Sequence, residues 1–320
     1  MARGNRTQTK KRGAAKNRRV TTQESSASIS GRQVGTTLSC GAVSFNCCPG
    51  QSSVPQENHK PYLELSHVSK SFGPNQVLDD LSLDVARGLT LCILGRSGVG
   101  KSVCLRLMMG FLKPDAGRVV AAGEDITFYS EEKLQQIHKK ITMVFQSGAL
   151  FDSLTVRENV AFPLREQRNL EEDKICRRVD ELLEMVRARE IADVLPSDIS
   201  TGMKRSVAVA RALAANPEAV LYDEPTTMVD PLTSRRLISL IADLKSRLKL
   251  TSMIVTHDTR LAEKLADHVI FLDQAKVVFS GTVTQMQRSS VPIVKQFLQL
   301  DRLDWSLIRL DDRLAAWGRR

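Results

Sequence analysis

No run of 18 or more apolar residues occurs in this 320-residue chain, so no segment reads as a membrane-spanning helix. The longest uncharged stretch, Gln33 to Gln56, is built largely from Ser, Gly, Thr and Cys and is too polar for a bilayer. The N-terminus opens with charge but lacks the apolar block of a secretory signal. Cysteine is sparse, at six residues, which excludes a disulfide scaffold and fits a reducing compartment. Cys92, Cys104 and Cys176 fall in buried or helical patterns, whereas Cys40, Cys47 and Cys48, with His59 nearby, match no standard pair of metal-ligand doublets.

One sign of charge is also missing from part of the chain. Residues 1–60 carry ten Lys and Arg against Glu24 and Glu57 alone, a net of +8. The other 260 residues carry 36 basic and 34 acidic groups, so the overall +10 belongs to a tail and the body is nearly neutral. A basic tail raises the question of nucleic acid, but Phe45 is its only aromatic, and stacking on bases needs several. Nucleic acid is therefore not an expected partner. The tail has no apolar periodicity and reads as disordered, with a solvated extension and an Arg- and Ser-rich targeting segment both open.

The pattern changes at Tyr62. Leu63 to Phe72 and Val77 to Val85 alternate like two antiparallel strands, and Leu89 to Leu94 is a short apolar run suited to a strand covered on both faces. Glu171 to Val186 places Ile175, Val179, Leu182, Leu183 and Val186 on one helical face. Ala219 to Tyr222 and Ser252 to Val255 are further buried strands, and Val269 to Leu272 with Val277 to Phe279 read as a hairpin. Strands alternating with helices predict an α/β fold.

The chemistry is concentrated in Gly95-Arg96-Ser97-Gly98-Val99-Gly100-Lys101-Ser102, a phosphate-loop pattern between a predicted strand and a helix running from Lys101 to Leu112. Its glycines free backbone N–H groups to curl around phosphate oxygens, and the helix end behind them favours an anion. Lys101 reaches the β- and γ-phosphates, and the Ser102 hydroxyl completes a magnesium shell. Downstream, Asp223 and Glu224 end a buried strand. Because successive strand residues face opposite ways, the two acids are expected to take separate jobs, Asp223 holding magnesium and Glu224 polarising the attacking water.

Together with Ile199-Ser200-Thr201-Gly202-Met203-Lys204-Arg205, these residues resemble the nucleotide-binding domain of ABC transporters over about Tyr62 to Gln299. The resemblance implies a P-loop NTPase of ABC type, a mostly parallel core sheet with an antiparallel β subdomain and a helical subdomain near 148–215, within a domain spanning 61–300. It implies ATP and Mg2+ as cofactors. Phe72 resembles the aromatic that stacks on adenine, and Gln146 the glutamine linking magnesium to the transmembrane partner. Asp230 matches the D-loop aspartate and His257 the switch histidine. Ser200, able to cap the helix beginning near Thr201, and Gly202 are implied to contact the nucleotide of a second, head-to-tail copy. Thr201 and Met228 depart from the family pattern where glycine or another small residue is common.

Met203, the stretch Leu150 to Val160 and Pro292 to Phe297 are similar to the ATPase subunit of Mla/TGD/Mce-type lipid transporters. That similarity implies a separate permease, a substrate-binding protein carrying an Mce domain, and a seat on the cytoplasmic face of the inner membrane or the stromal side of a chloroplast inner envelope. A small-solute importer is the alternative. Finally, Leu303, Leu307, Leu310, Leu314 and Trp317 form one apolar stripe over 301–320, predicting an amphipathic helix that packs against something.

Overall fold

The computed structural model of the protein describes residues 60–166 and 170–302. The basic tail before Lys60 and the stripe from Leu303 to Trp317 lie outside the described residues.

The chain enters as an antiparallel pair, β1 (Leu63–Phe72) and β2 (Asn75–Val85), joined by a turn at Gly73-Pro74. β3 (Thr90–Leu94) follows, buried at all five positions, and runs through the phosphate loop into α1 (Lys101–Met108). The helix stops earlier than the apolar pattern predicts because the chain turns out at Gly110, where φ is 71°. β4 (Ala116–Ala121) and β5 (Glu124–Asp125) complete a four-stranded antiparallel sheet in the order β2-β1-β4-β5. Next come α2 (Glu131–Lys140), β6 (Ile141–Val144), α3 (Val156–Glu166), α4 (Glu172–Met185), two short 3-10 turns, and α5 (Thr201–Ala214). The remainder alternates: β7 (Ala219–Asp223), α6 (Pro231–Leu248), β8 (Thr251–Thr256), α7 (Thr259–Leu265), then the β9 (His268–Asp273) and β10 (Lys276–Gly281) hairpin, α8 (Val283–Gln287) and α9 (Pro292–Arg302).

The second sheet has the order β10-β9-β3-β8-β7-β6, parallel throughout except for the antiparallel edge strand β10. Side-chain alternation divides its apolar residues between two cores. Leu91, Ile93, Leu221, Met253 and Val255 face the antiparallel sheet, α1 and α2. Cys92, Leu94, Val220, Tyr222, Ile254 and Phe271 face the helices of the opposite side. A strand clad on both faces reads as a continuous apolar run, which is why the periodicity of β3, β7 and β8 was legible as burial and not as amphipathy. Each aliphatic side chain so enclosed contributes roughly 1.5–3 kcal/mol.

Helix starts are fixed by local chemistry. Asp230 caps α6, accepting from the N–H groups of Leu232 at 3.1 Å and Thr233 at 2.9 Å, with Pro231 at the first helical position. Ser200 caps α5 by accepting from Met203 N at 3.3 Å. The C-terminal ends of β3, β6, β7 and β8 lie together on one edge of the sheet, where parallel α/β folds place their ligands.

Candidate active site

At the end of β3 the backbone curls into α1 through Gly100, whose φ is 101°. A β-carbon there would lie 2.8 Å from both Cγ1 and the carbonyl oxygen of Val77, so the loop closes this tightly only on glycine. Behind it Lys101 is buried, its ammonium donating to the carbonyls of Gly95 at 3.0 Å and Arg96 at 2.9 Å and pairing with Glu224 Oε1 at 3.2 Å. The Ser102 hydroxyl donates to Asp223 Oδ1 at 2.7 Å.

The acid pair is arranged differently from the sequence-based expectation. Asp223 is the last residue of β7, but Glu224 is already off the strand, with φ 46° and its N–H bonded to Val255 O at 2.9 Å. With Glu224 in this left-handed turn, strand alternation no longer sets the direction of its side chain. The two carboxyls still separate in environment. Burial raises the Asp223 carboxyl above the ordinary carboxylate range, with the Ser102 hydrogen bond opposing it. Burial would also raise Glu224, but the His257 contact and the Lys101 ammonium together hold it below its ordinary value. His257 Nδ1 lies 2.8 Å from Glu224 Oε2, and that contact raises the imidazole above its ordinary 6.5.

A cavity of about 370 Å³ brings Lys101, Ser102, Glu224 and His257 together, with Asp223 outside its lining and joined to it through the Ser102 hydroxyl. Ser97, Gly98, Gly100, Lys101 and Ser102 line it from the phosphate loop, exposed Gln146 from the segment after β6, Glu224 from after β7 and His257 from after β8. Val99 is partly buried against the core below. The other sequence-predicted residues stand apart. Phe72, 46% exposed, ends β1 with Lys70 Nζ 5.7 Å from its ring centroid. Arg96 turns outward, its guanidinium donating to Gln296 Oε1 of α9 at 3.3 Å. Asp230 is occupied in capping α6, and Ser200 and Gly202 line a separate groove of about 720 Å³ between α5 and α6.

Two residues that sequence reasoning passed over belong to the arrangement. Thr227 lines the cavity and its hydroxyl donates to Glu224 Oε2 at 3.0 Å. Its place three residues after Glu224 was visible, but only the left-handed turn brings it back. Arg205 is buried against the loops behind the cavity; it closes the Ile199–Arg205 stretch, but nothing in that stretch shows which loops it reaches. Among the described residues no cluster of three or more His, Cys, Asp or Glu side chains exists to hold a metal. The Ser102 hydroxyl, bonded to the Asp223 carboxylate, and the Gln146 amide, on the same cavity as Ser102, are hard oxygen donors of the kind magnesium takes alongside phosphate.

A chain with this loop, acid pair and histidine has known counterparts. The ABC transporter family profile matches residues 78–227. The ATP-binding protein MlaF of the intermembrane phospholipid transport system of Escherichia coli (strain K12) is 39% identical over 236 residues, covering 74% of this chain and 88% of that one. The chain belongs to the ABC transporter ATPase family. The methionine import ATP-binding protein MetN of Haemophilus ducreyi is 36% identical, over 74% of this ABC ATPase and 70% of its own length. Among solved structures, an ATP-binding cassette dimer in a post-hydrolysis state with ADP and Pi bound superposes with a TM-score of 0.64. It is 30% identical and covers 69% of this chain and 98% of its own. The cassette cbiO1 of Clostridium perfringens, part of the cbiONQ transporter complex, gives 0.67 at 28% identity over 76% and 97%. The ABC ATPase described here therefore has the ABC fold and binds and hydrolyses ATP. No helix among its described residues is long and apolar enough to cross a membrane.

Proposed function

We propose that this ABC ATPase drives a separate transmembrane permease that moves phospholipid or a related lipid between membranes, working with a substrate-binding protein that carries an Mce domain. The observation that carries the catalytic part is the position of Glu224, 8% exposed, in contact with Lys101, His257 and Thr227 at one cavity wall. An ionised carboxylate held there accepts the proton of the attacking water. Lys101 binds the β- and γ-phosphates, exchanging its Glu224 contact for phosphate oxygen. His257 positions Glu224 and meets the γ-phosphate. Phe72 stacks on adenine, while the backbone N–H groups of residues 95–102 cradle the phosphates. Ser102, Asp223 and Gln146 would hold Mg2+, which when bound neutralises charge developing on the phosphates.

Ser200, Gly202 and Asp230 lie outside this cavity and serve the nucleotide of a second copy, so two composite sites form across one head-to-tail dimer. The lipid substrate is supported by the phospholipid-transport relative, which matches 88% of its length. The same bacterial relatives support a seat at the cytoplasmic face of the inner membrane and lend none to a chloroplast envelope. A small-solute importer is the second reading, favoured by the methionine import relative. In the reconstituted complex, Glu224→Gln should lower ATP turnover at least 100-fold while ATP still binds. Equal turnover in variant and wild type would remove Glu224 as the base.

A further inference from the structure

Arg205 is 3% exposed on α5, the helix whose first turn holds Ser200 and Gly202. Its guanidinium reaches two loops that are distant in sequence. Nη1 donates to the carbonyl of Phe145 at 3.3 Å, one residue before Gln146, and Nη2 donates to the carbonyl of Thr227 at 3.4 Å. Thr227 in turn donates its hydroxyl to Glu224 Oε2 at 3.0 Å. Among the described residues no carboxylate pairs with Arg205, and its Nε has no partner. A buried guanidinium answered only by carbonyls is a poor stabiliser compared with an apolar side chain of similar length, so packing alone does not account for it. Arg211, farther along α5, grips the carbonyls of Gly148 at 3.0 Å and Ala149 at 2.7 Å, but it does not reach the Thr227 loop. Arg205 alone spans both.

We propose that Arg205 is a positioning residue for ATP turnover, locking the helix that carries Ser200 and Gly202 to the loops that carry Gln146 and Glu224. This rests on the active site proposed above. The consequence is mechanical. Ser200 and Gly202 face the partner's nucleotide, whereas Glu224 acts on the subunit's own, so a shift of α5 on engaging the partner is relayed through Arg205 and Thr227 to the base of the other site. The proposal gives each subunit a connection between the half-site it lends and the half-site it owns.

The test uses the full chain assembled with its permease, with turnover measured against ATP concentration. Arg205→Met should lower kcat about tenfold or more while KM for ATP moves less than about twofold, because Arg205 touches neither the phosphate loop nor Phe72. Arg205→Lys should recover part of the lost kcat. Thr227→Val should also lower kcat, and combining it with Arg205→Met should cost less than the product of the two losses, since both cut one relay. An assembled Arg205→Met complex with wild-type kcat, or losses that multiply in full, would overturn the proposal. Should Arg205→Met not assemble, Arg205→Gln carries the same readouts, and full turnover in it overturns the proposal equally. Glu224→Gln belongs in the same series. A silent Glu224→Gln with a fully active Arg205→Met sinks the relay alone, whereas an active Glu224→Gln sinks the site reading beneath it.

Discussion

A β-carbon added at Gly202 would run into Cγ2 of Thr233, which places the first turn of α5 directly against the first turn of α6. The glycine of the Ser200-Thr201-Gly202 stretch is thus a packing requirement inside one subunit, apart from the role proposed for it toward a second copy. Gly202→Ala should destabilise the fold by about 1–3 kcal/mol through overpacking. Replacing Thr233 by Ser removes the obstructing methyl, so Gly202→Ala/Thr233→Ser should recover most of that loss. Urea unfolding midpoints of the three variants decide it, and a double variant no better than the single refutes the contact.

The Glu224–His257 contact predicts a stability window in pH. Glu224 is held below its ordinary 4.5, so its share is present above that value and is lost as pH falls through the depressed value. His257 is raised above its ordinary 6.5, so its share is whole below 6.5 and is lost as pH rises through the elevated value. The pair therefore contributes most between these two reference values. Because solvent reaches the His257 ring, the effect should stay at or below about 1 kcal/mol. Melting temperatures of wild type and His257→Ala should differ most between pH 4.5 and 6.5 and converge as pH rises through the elevated imidazole value.

Asp223 and Ser102 predict a magnesium phenotype. Asp223→Asn removes the negative charge to which the Ser102 hydroxyl donates at 2.7 Å. The magnesium concentration giving half-maximal turnover should rise about tenfold or more. An unchanged magnesium titration would take Asp223 out of the site.

Asn159 predicts a purely structural loss. It is fully buried on α3, its Oδ1 accepting from Phe151 N at 2.8 Å and its Nδ2 donating to the carbonyls of Phe151, Leu154 and Thr155 at 2.9–3.0 Å. Asn159→Ala strands these groups and should cost about 2–3 kcal/mol, read as a lower unfolding midpoint.

The basic tail predicts a null result. The phosphate loop, the acid pair and His257 all lie at or beyond position 95 of the sequence. A chain lacking residues 1–59 should keep the wild-type kcat, and lost turnover would show a role for the tail in catalysis.

What could be read from the sequence was what is contiguous in it. The phosphate loop declares itself because strand, glycines, Lys101 and helix follow one another without a gap. β3, β7 and β8 show as apolar runs because both their faces are covered. The direction of the Glu224 side chain was not legible, since it depends on a left-handed φ at a residue that is not glycine. Arg205 was equally opaque: its partners are 60 and 22 residues away, and only the packing of α5 behind the cavity brings them together.

The contact between Arg96 and Gln296 gives the phosphate loop a handle outside the nucleotide cavity. α9 is seated by Phe297, edge-on to buried Phe271 with ring centroids 4.9 Å apart, so position 296 is held on a rigid base. A fluorescent or spin label attached at 296 would sit beside the loop without displacing any group that meets ATP. It would turn the arrival and departure of phosphate into a signal readable one turnover at a time.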